Sequence, residues 1–457
     1  MSRVPAAVRG LVARFLPEGA AVLSILIFGS YVMGLVRDRI FARTFGAGSE
    51  LDAYNAAFVL PELLLDVLVE AGLAAPFIPI FLRLRAGADP AEGDRFARTI
   101  LTAAVTVMGV AAVLMFVFAD ATTGFIAPGF VGEQRELYVS LFRVMLITPI
   151  LFAASLTLGQ VLLSEQRFFW YGIAPLLYNG GIVLGTIALS DELGIYGPAI
   201  GAVIGAAIHL GSRFVGLRGS RFRVGLGWEA RTASVREFVR LMLPKMVSHP
   251  VEPMTFLFFT AIASGLAAGS VTALSFARNF QSVPVSLVGV AFALAVFPAL
   301  STAHAIGDRR GFLRLLFTNL ASIALITTIA AIGLVVVGEL AIRVLLGGGA
   351  FDAEDVALTA TVLAAFAISV PFESLAHLLS RAIYATRHTL LQVLASLAGL
   401  GITVLATLAL LPGLGIVAIP LGFAIGQAAK VVLLAIALAV RLRGLPGSSG
   451  PGVEPLP

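Results

Sequence analysis

Glu62, Asp66 and Glu70 fall at i, i+4 and i+8 in an otherwise apolar stretch, a spacing that puts three carboxylates on one face of a helix. Lipid rejects such a face. It must line a cleft, pair with arginines of neighbouring helices, or reach a membrane surface. Carboxylates this close raise one another's proton affinity, which suits proton uptake and makes all three coupling candidates. Ion pairing that locks two helices together is the structural alternative. The cations in comparable apolar settings are Arg37, Arg143, Arg278 and Lys430, with Glu252 and Glu373 as prospective partners. Arg37 and Arg278 are the ones expected to contact an anionic substrate. A guanidinium grips phosphate oxygens bidentately, so a cleft holding two of them suits a diphosphate. Other chemistry is missing from the sequence. Neither lysine follows a glycine, the five histidines lack metal-ligand spacing, and there is no cysteine. No enzyme activity, metal or cofactor is therefore expected.

The elements that position these residues are membrane helices. Of 457 residues, 59% are apolar and 12% charged, about half the roughly 25% of soluble domains; mean hydropathy is +0.99. So few charges cannot coat a soluble core of this size. A spanning helix needs about 20 apolar residues. Twelve stretches qualify: 19–37, 53–82, 97–119, 137–163, 169–190, 194–214, 241–264, 270–300, 313–338, 357–383, 388–411 and 414–440. Arginines gather on alternate loops, around 83–98, 213–240 and 309–314, whereas the opposite loops carry Asp120, Glu133, Asp191, Glu192, Glu339 and Asp352. This alternation puts both termini in the cytoplasm. It also explains the net charge of +5 without nucleic acid as a partner. Arg37, Arg39 and Arg43 break the pattern by falling on the outer side, which suggests a local role. Residues 1–18 read as an amphipathic cytoplasmic segment, and 442–457 as a disordered tail.

The chain also matches itself at an offset of 221 residues. Gly48-Ser49 corresponds to Gly269-Ser270, Leu193-Gly194-Ile195 to Leu414-Gly415-Ile416, and Gly201, Ile204 and Gly205 to Gly422, Ile425 and Gly426. Each repeat holds six helices, and an even number returns the chain to its starting side. The expected fold is therefore all-α and polytopic. An N-lobe (19–217) and a C-lobe (241–441) are related by a parallel pseudo-twofold repeat, with 218–240 as the cytoplasmic linker. Rocking of such lobes about a midplane site is the usual form of alternating access.

Several stretches carry a family resemblance: Gly34-Leu-Val-Arg37-Asp38 through Phe45-Gly46-Ala47-Gly48 to Asp52-Ala53-Tyr54; Leu60-Pro61; Phe77-Ile78-Pro79; Ala174-Pro175 with Asn179; Phe297-Pro298-Ala-Leu-Ser301; and Ala350-Phe351-Asp352-Ala353-Glu354-Asp355. Spread over residues 30–440, they resemble the MurJ/MviN lipid II flippases, divergently. The resemblance implies the multidrug/oligosaccharidyl-lipid/polysaccharide exporter fold. It also implies flipping of an undecaprenyl-diphosphate-linked peptidoglycan precursor from the inner to the outer leaflet of the bacterial inner membrane. The implied partners are that lipid-linked anionic substrate, membrane lipids and cell-wall synthesis proteins. Arg37 and Asp52 carry over as substrate-binding residues. Family arginines fall here on Tyr31, Leu65 and Asn279, with Asp66 and Arg278 beside the last two. Tyr31, nearly two turns before Arg37, is expected to stack on a sugar, and Asn279 joins Arg278 as a substrate-site candidate. Typical members have two further helices beyond the twelve counted here. Other readings stay open: a cation or drug exporter of the same fold, favoured by the acidic face, a polysaccharide-lipid flippase of that fold, and a non-transporting scaffold for envelope assembly.

Overall fold

The computed structural model describes residues 18–67, 71–248, 251–386 and 388–443. The amphipathic segment before Glu18, Glu70 and the tail from Gly444 onward lie outside them. The described chain is helical apart from turns, the irregular connection over residues 217–232 and one isolated bridge between Gly348 and Phe351. Its helices are α1 (Glu18–Phe45), α2 (Ser49–Leu65), α3 (Ala71–Arg85), α4 (Ala91–Val117), α5 (Ala119–Ile126), α6 (Gly132–Met145), α7 (Ile147–Ser164), α8 (Phe168–Leu193), α9 (Tyr196–Gly216), α10 (Ala233–Ser248), α11 (Val251–Ala263), α12 (Ser270–Pro284), α13 (Ala291–Ala305), α14 (Arg309–Leu345), α15 (Ala353–Ala367), α16 (Ser369–Ala385), α17 (Thr389–Leu414) and α18 (Ala418–Arg443).

Each of the twelve apolar stretches falls on one helix or on a consecutive pair. Seven helical runs are long and apolar enough to cross a membrane unaided, and α15 with α16, bent by 43°, makes an eighth. The run from Thr389 to Leu442 holds two of the twelve stretches, separated at Gly415. The stretches at 53–82 and 241–264 are helix pairs, α2 with α3 and α10 with α11. Proline contributes to such breaks by removing a donor and crowding the preceding turn. Pro284 opens a π-helical turn over Val285–Val290 between α12 and α13.

Three local expectations are revised. Helix α1 continues past the expected end at residue 37 to Phe45, so Arg39 and Arg43 are helical rather than on a loop. The acidic row at 62–70 does not run on one regular helix, because α2 ends at Leu65 and Asp66–Val67 form a π turn. The stretch 218–240 is not one open linker: α10 begins at Ala233, eight residues before the apolar segment.

Two compact units emerge. Among the described residues, unit 1 runs from 18 to 269 and includes the turn Gly348–Phe351, and unit 2 holds 270–347 and 352–443. The division falls after α11 because α10 packs on α3 and α4, and α11 on α2 and α5. Phe77, Phe81, Phe96, Met108, Leu158 and Phe238 are central to the core of unit 1; Phe312, Ile323, Leu378, Ile383 and Leu434 are central to that of unit 2.

The repeat is visible in backbone detail. Helices α8 and α17 both have 26 residues, offset by 221, and both end on a glycine, Gly194 (φ 54°, ψ −134°) and Gly415 (φ 53°, ψ −133°). Glycine tolerates this positive φ at no steric cost. Each helix then packs on its successor through small residues. In unit 1, a Cβ on Gly181 or Gly185 would lie 2.4 Å from the Cα of Gly205 or Gly201. In unit 2, a Cβ on Gly426 would collide with the Thr403 hydroxyl, and one on Gly422 with that of Thr407.

Candidate functional site

Arg37 lies in the C-terminal half of α1, whose main neighbour is α8. Its Nε and Nη2 both donate to Oδ1 of Asp38, at 3.1 and 2.8 Å, and its Nη1 donates to Oδ1 of Asn179 on α8 at 3.1 Å. Asn179 is oriented in turn by donating from Nδ2 to the carbonyl of Pro175, at 3.1 Å. The guanidinium also stands over the Phe41 ring, 5.9 Å from its centroid. Asp38 is buried, but the Arg37 side chain retains 27% of its exposure. A guanidinium has five N–H donors. The second N–H of Nη1 and that of Nη2 carry no hydrogen bond among the described residues. Arg37 is thus aimed by two fixed partners and still has donors to offer an anion.

Around it lie Tyr54 of α2 and Tyr178 of α8, both in electrostatic contact with the guanidinium. The Tyr54 ring is wedged edge-on between Phe41 (5.2 Å) and Phe58 (5.1 Å). Its buried hydroxyl has no hydrogen-bond partner among the described residues. Glu62 is exposed and faces the same cluster, interacting with Arg37, Tyr178 and Asp66. One of the three acidic candidates therefore meets the cationic one within unit 1. Asp66, half-buried, stands beside it as a like charge.

The remaining candidates go elsewhere. Tyr31 is 64% exposed; six residues at 100° each turn it about 120° away from Arg37, so the two are not on one face. Asp52 is 2% exposed, and its Oδ2 accepts from the Gly269 amide at 2.7 Å. Gly269 has φ +88°, and a Cβ there would meet the Ala47 carbonyl oxygen at 2.1 Å. Asp52 therefore latches the connection after α11 onto the start of α2. Arg278 is buried in unit 2, where its Nη1 and Nη2 reach the two carboxylate oxygens of Glu373 at 2.8 and 2.7 Å. Gln281 also bonds both partners, and the Phe423 ring stacks 5.2 Å from the guanidinium carbon. Neighbouring Asn279 is half-buried on α12. Arg43 packs on the glycine turn: its carbonyl accepts from Ala350 at 2.8 Å, and a Cβ on Gly349 would lie 2.3 Å from that oxygen.

Sequence reasoning missed one buried cation. Arg213 was grouped with the loop arginines, yet it is 1% exposed on the last turn of α9. It donates from Nε to the Ser155 hydroxyl (3.2 Å) and from Nη1 to the carbonyls of Trp170 (2.7 Å) and Tyr171 (2.8 Å). In a regular helix the Tyr171 carbonyl would bond the amide four residues on. That residue is Pro175, which has no N–H. The visible signal was a proline four residues after a carbonyl that then needs another donor.

The family model described as "Lipid II flippase MurJ" matches residues 41–449, most of the chain. This chain belongs to the lipid II flippase MurJ family. Its relatives include a lipid II flippase MurJ of Burkholderia cenocepacia, 26% identical over 429 residues, covering 91% of this chain and 82% of the relative. A probable lipid II flippase MurJ of Thermotoga maritima is 29% identical, covering 80% and 73%. Among solved structures, lipid II flippase MurJ in an inward closed conformation matches with a TM-score of 0.79 at 23% identity, over 92% of this chain and 87% of that one. An inward-facing multidrug resistance MATE family transporter of the MOP superfamily also reaches 0.79, at 15% identity over 92% and 96%. These likenesses establish a multi-pass transporter fold with two lobes. In this chain the described residues present a cluster centred on Arg37, with Glu62 beside it.

Proposed function

We propose that this chain flips lipid II, the diphosphate-linked peptidoglycan precursor, from the inner to the outer leaflet of the bacterial inner membrane. Its termini lie in the cytoplasm, and its two six-helix lobes alternate access to the site. The observation that carries this reading is Arg37, a partly exposed guanidinium fixed by Asp38 and Asn179, with N–H groups left to donate, in a chain of this family. No bond is made or broken in such a cycle. The headgroup's diphosphate takes the open side of the fork, and Glu62 competes for the same charge. Protonation of Glu62 removes that competition, releases Arg37 to the substrate and couples flipping to protons. Arg278 supports its own lobe through Glu373, so the headgroup role rests on Arg37.

The test is rescue of a strain depleted of its own lipid II flippase. Losing one charge-assisted contact costs about 1.5–3 kcal/mol, roughly a ten- to hundredfold loss of affinity. Arg37→Ala should fail to rescue at normal membrane abundance, and Arg37→Lys should rescue in part, because an ammonium lacks the planar fork. Full rescue by Arg37→Ala overturns the headgroup role. Exposed Glu62 favours a second reading, export of an organic cation. That reading requires Glu62→Gln to abolish drug resistance conferred by the chain while rescue of the flippase-depleted strain stays absent.

A further inference from the structure

The connection between α9 and α10 is bound along unit 1 as a strap. Phe222 is buried against Phe81, ring centroids 6.4 Å apart. Arg167 donates to the carbonyls of Gly216 and Arg218 at 2.7 and 2.8 Å, and Ser220 donates to Glu165 at 2.7 Å. Further along, Arg98 donates to the Arg223 carbonyl at 2.9 Å. The amides of Gly227 and Glu229 donate to the hydroxyls of Thr102 (3.1 Å) and Thr99 (3.0 Å). Those hydroxyls in turn donate to the carbonyls of Arg98 and Arg95 within α4. The fit is close at position 227, where a Cβ would approach that of Arg98 to 3.2 Å.

These bonds fix the strap's depth. Helix α4 carries charges as far as Arg98 and none from Thr99 to Val117. That uncharged stretch of about 19 residues is about 28 Å long at 1.5 Å per residue, close to the roughly 30 Å hydrocarbon thickness. The boundary of the hydrocarbon therefore falls at Thr99, and Trp228 sits between the two amides bonded there. Alternate strap residues Val224, Leu226 and Trp228 are exposed, Leu226 by 74% and Trp228 by 64%. Arg218, Arg221, Arg223 and Arg231 are exposed beside them. Glu229, the single acid from Gly216 to Thr232, lies 3.5 Å from Arg95. Exposed tryptophan at interfacial depth beside arginines that have no acidic partner among the described residues is the chemistry of an acidic lipid surface.

We propose that residues 218–231 form a binding site for the acidic phospholipid headgroups of the arginine-rich leaflet, with Val224, Leu226 and Trp228 inserted among the acyl chains. This site is separate from the Arg37 cluster, so its failure leaves the flippase reading untouched. The full chain has two tryptophans. Trp170→Phe leaves Trp228 as the reporter, and the difference between wild type and Trp228→Phe gives the same signal should Trp170→Phe not fold. Reconstituted in vesicles of brominated phosphatidylcholine with phosphatidylglycerol, Trp228 should lose most of its emission, and aqueous acrylamide should barely quench it. The phosphatidylglycerol content giving half-maximal effect should rise about fivefold per arginine removed in Arg218→Gln, Arg221→Gln and Arg223→Gln. Free quenching of Trp228 by acrylamide with no effect of brominated chains overturns insertion. Equal behaviour in pure phosphatidylcholine, or an unchanged titration in the triple glutamine variant, overturns recognition of acidic lipid.

Discussion

At the scale of single residues, two side chains with the same sequence credentials do different work. Arg37 and Arg278 are both arginines in apolar helices, but Arg278 is enclosed with Glu373 and Arg37 is left partly open beside Asn179. Asn179→Leu should therefore let the Arg37 fork swing toward Asp38. Headgroup affinity is expected to fall about tenfold, the value of roughly one hydrogen bond to a charged group, and lipid II binding to purified protein would show it. Asp52 is a case of structural load: Asp52→Ala leaves the Gly269 amide buried without its acceptor and should cost about 1–3 kcal/mol. Asp52→Asn keeps a side-chain oxygen and should melt close to wild type, which a thermal scan in detergent measures. A transport defect in both variants at unchanged melting temperature would instead give Asp52 a substrate role.

At the scale of helices, packing in the membrane depends on close backbone approach, because lipid offers no hydrophobic drive to bring helices together. The α8–α9 pair meets at Gly181, Gly185, Gly201 and Gly205. Gly201→Leu should abolish assembly, whereas Gly211→Ala on the same helix meets nothing within 4 Å and should be neutral or mildly stabilising; membrane abundance and melting distinguish the two. The Arg213–Tyr171 contact yields a sharper expectation. Arg213→Ala should destabilise strongly, since it strands a carbonyl and empties a buried site. Adding Pro175→Ala should restore part of the loss by returning an amide to Tyr171, and a double-mutant melt reads the coupling. Outside the membrane, Arg83 on α3 holds Glu237 on α10 through two hydrogen bonds, and these keep the Glu237 carboxyl below the usual carboxylate range. The sign follows: this contact stabilises fully above the unfolded value near 4.5 and is lost as pH falls through the lower folded value. Acidification should thus lower the melting temperature of wild type more than that of Glu237→Gln. The difference should shrink in high salt, as expected for an exposed pair.

At the scale of the whole molecule, the 221-residue offset with six helices expected in each repeat predicts that charge placement repeats along the chain. The chain has no cysteine, which makes single-cysteine mapping direct. Arg221→Cys and Arg310→Cys should react with an impermeant maleimide only after the membrane is opened. Asp120→Cys and Glu354→Cys should react on intact spheroplasts. Labelling of all four from one side would reject the even helix count in each repeat.

Composition and spacing alone determined that this is a helical membrane protein, where its apolar stretches lie, and that it repeats itself. Those properties reside in the hydropathy and length of each segment and in glycines at a fixed offset, and Gly194 and Gly415 then share nearly the same φ and ψ. The family resemblance was likewise readable in short motifs around Arg37. Tertiary structure decided which charges are enclosed. A one-dimensional pattern gives a side chain's direction only while the helix stays regular, and α2 departs from that at Asp66. Arg213 looked like a loop cation because it lies just after an apolar stretch. It is buried because Pro175, on another helix, leaves the Tyr171 carbonyl without its usual donor. Such partnerships join residues about 40 positions apart through packing, and packing is what the sequence pattern does not carry.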